Sequence, residues 1–466
     1  MGARRGMVAV ATAALLITGA CGTRVEGGSD AGVETAAAAA PSSDDGSGGS
    51  GGDGGSASAS EEGMVGTLPT PCGEGDASGA TDQGVTDDAI AISTIADPGA
   101  QAAPGLNLGV HQAMTAFVEY CNSLGGIDGR PLELTLLDAA LFDYNSVVQQ
   151  ACEGSFAMVG GGGTLDETGA QTAVDCGLVD VAGFTISPEK AESERVYQPL
   201  PNATYQFNVG AARHIVEEHP EAAEHAAIIY SNLPVTERQA ARQVEAYEDV
   251  GFDFVYEQAA EIGELNWTPI VVAMRDAGVE YVTMTSTFEE FVNLQNAMAE
   301  QGFEPEVIDL EANFYDDAYP ETAGAVADGS TIRITTSPFE DDPVDPALSV
   351  YLDWLEQTAG GDAQPALLGV QAFSAGLLFA TAAKACGSEL TRECLMEQLD
   401  QITEWDGGGM HAPANPADNE ITECFIQMEV ADGGFQRAFP DEEFSCDPEN
   451  VVELTGDYGE GASEGG

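Results

Sequence analysis

The chain has 466 residues, 43% of them apolar, and a formal net charge of −65 from 79 acids against 14 bases. That length suits two or three domains, and that apolar content suits a real core. A surface this acidic repels nucleic acid and anionic lipid, which argues against both as partners, and its self-repulsion at low salt fits a salt-rich, halophilic habitat, with an ordinary acidic secreted protein as the alternative.

Arg4 and Arg5 precede an apolar run over 7–20. The run is shorter than the roughly 20 residues that span a bilayer and has the form of an export signal. It ends Thr18-Gly19-Ala20-Cys21. Small residues before a cysteine resemble the lipobox of bacterial lipoproteins. That resemblance implies a signal peptide over 1–20 and a lipid on Cys21. Residues 21–66 are Gly, Ser, Ala and acid with almost nothing to bury, so a disordered tether of roughly 35–40 Å is expected.

From there strands and helices alternate. Strands are predicted at 89–96, at 132–137, in the apolar run before Gly160 and at 179–184. Helices are predicted at 110–124, at 144–152 and from about 165 to 175. The alternation restarts with strands at 226–230, 254–258, 281–286 and 307–310, separated by helices at 236–250, 269–277 and 288–300. A strand at 330–336 follows, then helices near 346–358, 365–386 and 391–402. A hairpin of 421–430 with 435–439 comes last, and 455–466 reads as a disordered tail. Strands spaced by helices of this length specify βαβ units, hence an α/β fold of two doubly wound parallel-sheet lobes.

The stretch FAMVGGGGTLDETGAQ, 156–171, ends an apolar run in four glycines and opens a helix. A phosphate cradle of the P-loop type needs a Lys and a hydroxyl after the glycines. Here Thr164-Leu165-Asp166 follow, and an acid would repel phosphate. Two readings stay open: a tight turn, or backbone room for a small ligand. Thr164 with Glu167 three residues on is also a capping box.

Catalytic signatures are missing. The five His show no metal spacing, there is no HExxH, and no zinc-type Cys pattern occurs, so neither a metal nor a cofactor is expected. Ala372-Phe373-Ser374-Ala375-Gly376 lacks the first Gly of a nucleophile elbow and lies inside a helical pattern. An enzyme is therefore not expected. Beyond Cys21 there are eight cysteines, an even number that reads as disulfides in an exported chain, with connectivity open.

In order and spacing the chain resembles the type I periplasmic binding proteins, in particular the Leu/Ile/Val-binding receptors of ABC transporters. The resemblance rests on GVTDD (84–88) before the first strand, NSLGGIDGR (122–130), the strand with VGGGG, Thr185-Ile186-Ser187-Pro188, and GVQAFSAGLLFATAAKAC (369–386). It implies two lobes joined by three crossover hinges. The first would be 84–206 plus 340–404 and the second 207–339 plus 405–450, with a small-molecule solute in the cleft between them. It implies a monomer whose partners are ABC permease subunits, held to the outer face of the cell membrane only through the lipid on Cys21. A sensor of the same fold, not coupled to transport, is the alternative.

The family's ligand loops map here onto Gly163, Thr164 and Leu165, and onto Thr185 and Ser187, as holders of a carboxylate. Facing them from the second lobe would be Asn232, Ser286, Thr287, Asn313 and Tyr315. Glu311 is the expected partner of a ligand ammonium, with Asp97 and Asp166 as alternatives from the first lobe. Asp97-Pro98-Gly99-Ala100 departs from the Ser/Thr-bearing family pattern, which argues against an ordinary branched-chain amino acid and leaves amides, short carboxylates and aromatic compounds open. The family's sheet order further implies the pairs Cys72–Cys121 and Cys152–Cys176, with Cys386–Cys394 and Cys424–Cys446 as local links.

Overall fold

The computed structural model describes residues 63–101 and 103–458. The export signal, Cys21, the tether up to residue 62 and the tail from 459 lie outside the described residues.

The first lobe is built on β1 (Ile90–Ala96), α1 (Leu108–Ser123), β2 (Leu132–Asp138), α2 (Tyr144–Gly154), β3 (Ala157–Val159), α3 (Glu167–Asp175), β4 (Val179–Val181) and β5 (Val196–Tyr197). Its sheet runs β2-β1-β3-β4-β5, all parallel. β1, IAISTIA, is buried on both faces, as a central strand covered by helices must be. β2 is at the edge and exposes Glu133, Leu136 and Asp138.

The second lobe uses β6 (Ala226–Ser231), α4 (Pro234–Asp249), β7 (Phe254–Ala260), α5 (Thr268–Ala277), β8 (Tyr281–Thr285), α6 (Phe288–Gln301), β9 (Val307–Leu310) and β10 (Thr331–Ile334). Glycines in the left-handed conformation, Gly278 and Gly302, stop α5 and α6. The chain then returns to the first lobe as α7 (Pro346–Ala359), α8 (Leu367–Cys386) and α9 (Arg392–Leu399), and comes back as the hairpin β11 (Cys424–Ala431) and β12 (Gly434–Phe439). The second sheet runs β7-β6-β8-β9-β10-β11-β12, parallel until β11 and β12 join antiparallel.

α8 is apolar all round and long enough to cross a membrane by composition, but 15 of its residues are buried, packed against α1 and α9. A helix with no polar face belongs inside a core. Ser374 lies in its middle with 0% exposure, which bears out the reading that it is no nucleophile elbow. Its hydroxyl receives Trp405 Nε1–H at 2.9 Å and meets His411 Nε2 at 2.8 Å. His411 Nδ1 faces the Ala412 carbonyl at 2.8 Å. A carbonyl only accepts, so Nδ1 carries the proton and Nε2 accepts from Ser374. Burial lowers the His411 pKa to about 4, so the ring stays neutral.

Three segments connect the lobes: 198–205, 335–345 and 400–423. The last two pair with each other, through Ala412 N to Thr335 O at 2.8 Å and Ser337 N to Met410 O at 2.8 Å. The Trp405–Ser374–His411 link ties this ribbon to α8.

Both ends of the described region carry structure beyond the sequence expectation. A small hairpin, Met64–Val65 with Leu68–Pro69, begins inside the expected tether and bonds Gly408 through Thr67 N at 2.9 Å. Residues 455–458, expected as tail, pack on α4: Tyr458 is buried and its hydroxyl bonds Glu245, which also accepts from Thr455 N at 2.6 Å. Both corrections have one cause. A few apolar residues (Val65, Leu454, Tyr458) find cover that composition alone does not reveal. The structure joins Cys72 to Cys121, Cys152 to Cys176, Cys386 to Cys394 and Cys424 to Cys446.

Candidate functional site

Between the lobes lies a cleft of about 710 Å³, lined from both. It opens at the carboxyl ends of the strands, where open α/β sheets place their ligands. Of the twelve residues the sequence put forward, six line it: Thr164, Thr185, Ser286, Thr287, Glu311 and Asn313. The other six do not.

The glycine loop holds protein, not ligand. A side chain on Gly160 would strike Met114 Sδ at 2.2 Å, and one on Gly161 the Ile95 backbone at 2.6 Å. On Gly162 it would meet the Phe184 ring at 2.6 Å and on Gly163 the Tyr144 ring at 2.4 Å. The loop lacks side chains because α1, β1 and two aromatic rings fill the space. Gly163 is thus a packing position. Leu165 is half-buried and outside the cleft lining, because α3 begins only at Glu167.

The donors expected to receive a ligand carboxylate are already engaged by carboxylates of the chain. Asp97, 0% exposed, accepts from Leu141 N at 2.9 Å, from Thr164 N at 2.9 Å and from Thr164 Oγ1 at 3.3 Å. Asp166, equally buried, accepts from Ile186 N at 2.9 Å and Ser187 N at 3.0 Å. Burial pushes the Asp166 carboxyl up, while Lys190 and these donors pull it back. Neither acid is therefore placed to meet a ligand ammonium. Ser187 caps the short helix Pro188–Ala191, and Thr185 shares its hydroxyl with Gln198 at 3.0 Å. Beneath them Lys190 is buried against Asp180 at 3.0 Å and Tyr144 at 2.9 Å.

On the second lobe, Ser286 and Thr287 sit where β8 passes into α6, and Thr287 caps that helix. Glu311 follows β9, half-buried, and accepts from Thr285 Oγ1 at 2.8 Å. Burial raises its pKa, against that bond and the positive charge of Arg333. Asn313 is exposed at the rim. Asn232 is drawn away to Glu261 at 3.1 Å. Tyr315 is a hinge residue instead of a ligand contact: it is fully buried, stacks on Phe339 at 5.0 Å between ring centroids, and receives Phe339 N at 2.8 Å.

Sequence reasoning missed the apolar wall of the first lobe, with Leu106, Leu141, Phe184 and Leu200, and missed Arg333 on the second. Arg333 did leave a signal. It is one of 14 bases in the chain and stands between Ile332 and Ile334 on a predicted strand, so it had to face opposite to the core.

A family model described as "Periplasmic binding protein" matches residues 96–434. No curated protein matches the chain. Among solved structures, a fatty acid ABC transporter substrate-binding protein from Thermomonospora curvata aligns with TM-score 0.68 at 17% identity, over 81% of this chain and 97% of that one. A leucine-binding protein from Thermotoga maritima aligns with TM-score 0.62 at 13% identity, over 78% and 99%. The branched-chain amino acid transporter substrate-binding protein of Streptococcus pneumoniae, in complex with isoleucine, aligns with TM-score 0.61 at 15% identity, over 75% and 100%. These likenesses are of fold. With two parallel-sheet lobes, three crossings and an interlobe cleft, the chain belongs to the periplasmic binding protein family.

Proposed function

We propose that the protein is an extracytoplasmic solute-binding lipoprotein of an ABC importer, anchored through Cys21, which closes on a small organic solute and presents it to a permease. The observation that carries this reading is the cleft itself, lined by side chains of both lobes around three connecting segments. Binding there favours the closed state by bridging the lobes. The solutes named for the similar structures, leucine, isoleucine and fatty acid, all have apolar bodies, in keeping with the apolar wall here. The chain acts as a monomer and binder, not an enzyme, and its acidic surface suits high salt.

The test is a thermal-shift screen of the protein in high salt against amino acids, amides and carboxylates, with small-angle scattering on each hit. A solute at 100 times its Kd stabilises by about 2.7 kcal/mol, and closure contracts the radius of gyration. Stabilisation without contraction would refute lobe closure. Silence from every solute class would remove the reading.

A further inference from the structure

The two walls of the cleft differ in chemistry. The first lobe presents Leu106, Leu108, Leu141, Phe184, Ile186 and Leu200. Its amides at Thr164, Ile186 and Ser187 are closed to an outside anion, because Asp97 and Asp166 hold them. That wall offers mainly hydrocarbon, with Asn107, Thr185, Gln364 and Gln371 as neutral polar groups and no cationic side chain.

The second lobe presents Arg333, near the carboxyl end of β10, half-buried and in the cleft lining. Among the described residues, the four salt bridges are made by Lys190, Arg213, His219 and Arg437, and none by Arg333. The nearby acids are engaged elsewhere. Glu311 takes Thr285 at 2.8 Å, and Asp309 takes Tyr281 at 2.7 Å and Thr331 at 3.3 Å. Further along the cleft, Glu290 takes Ser231 Oγ at 2.8 Å and Gly263 N at 2.7 Å, and Asp316 takes Ala318 N at 2.8 Å. Glu290, Glu311 and Asp316 are thus held by their own lobe while Glu289 is exposed, and among the described residues the Arg333 guanidinium makes no hydrogen bond or salt bridge. A planar fork of donors of this kind matches a carboxylate in bidentate fashion.

Resting on the solute-binding reading above, we infer that the ligand is an amphipathic monocarboxylate without an α-ammonium group, its head on Arg333 and its hydrocarbon body against the apolar wall of the first lobe. Arg333 sets specificity for the head, and the lobe-one wall sets it for the body. Closure then brings the body's cover down on a head already fixed to the second lobe.

The test is isothermal titration of the whole protein with sodium octanoate, octanamide and leucine, on wild type, Arg333→Gln and Arg333→Lys. Octanoate should bind wild type and weaken by about 10- to 100-fold in Arg333→Gln, the worth of a charge-assisted bond, with partial retention in Arg333→Lys. Octanamide should lose far less. Arg333→Gln breaks no internal hydrogen bond but removes a positive charge that acts on Asp309 and Glu311, so a modest loss of stability is expected and urea unfolding checks that the variant is folded at the titration temperature. Octanoate affinity unchanged in Arg333→Gln overturns the inference. Leucine binding with octanoate silent also overturns it, while leaving the solute-binding reading intact; failure of the whole solute screen would remove that reading instead.

Discussion

Removing the Asp97 carboxylate should show that an internal anion holds the first-lobe cleft together. Asp97 ends β1 and ties the loop after β2, through Leu141 N at 2.9 Å, to the glycine loop, through Thr164 N at 2.9 Å. Asp97→Ala orphans both N–H groups and the Thr164 hydroxyl. Bonds to a charged acceptor are worth about 1.5–3 kcal/mol each, and water entering beside Thr164 recovers part, so a loss of about 3–4 kcal/mol is expected. Urea unfolding at constant m-value reads this out. Formate fits the vacated carboxylate position and should restore the variant alone. If formate binds with a Kd of about 10 mM, then 100 mM returns about 1.4 kcal/mol. A loss below about 1 kcal/mol, or equal effects of formate and chloride, would refute the latch.

Two further outcomes follow from buried charge. Lys190→Met leaves Asp180, 2% exposed, without its cation and should cost about 3–5 kcal/mol in urea unfolding. His411 gives a pH signature. Its pKa is lowered from 6.5 to about 4 by burial, so between those values the unfolded chain binds a proton that the folded chain refuses. Stability from this group is complete above pH 6.5, falls as pH drops, and is fully lost below about pH 4, a total of about 3 kcal/mol. The stability difference between wild type and His411→Gln should therefore be flat above pH 6.5 and shrink below it; a difference independent of pH would mean the ring is not held neutral.

The alternation of strands and helices was legible because β-branched runs and capping glycines mark element ends locally. Val307–Leu310 falls where the sequence puts it, and α5 and α6 stop at their glycines. The candidate site was only half legible, and the reason is physical. A Thr after a glycine loop looks the same whether its N–H awaits a ligand or an Asp sixty-seven residues away. The glycines likewise look the same whether they admit a ligand or the rings of Phe184 and Tyr144. Which partner arrives is decided by packing over long sequence separation. Tyr315 illustrates it: a strand-end aromatic in the sequence, it is committed to the hinge by Phe339 and Glu340. Asp97 departs from the family pattern, and together with Asp166 it occupies the first-lobe amides that would otherwise take an anion.

An anionic ligand head must also reach Arg333 through the field of a chain with net charge −65, in a cleft that carries Glu289, Glu290, Glu311 and Asp316 as well. Two effects of salt then oppose each other. Salt weakens the contact between head and guanidinium, and it relieves the repulsion from the rest of the protein. The Debye length is about 30 Å at 0.01 M, so charges across the whole domain act on the ligand, and about 3 Å at 1 M, where only direct contacts survive. The contact is short and desolvated and is screened little, whereas the repulsion is spread over solvent-facing acids and is screened strongly. Relief should win. Octanoate should therefore bind more tightly at 1 M than at 0.01 M salt, by more than the salting-out gain shown by neutral octanamide. Titrations of both probes across that range check it. Octanoate affinity that falls with salt while octanamide holds steady would mean that screening of the head–guanidinium attraction outweighs relief of the acids' repulsion, and would refute the reasoning.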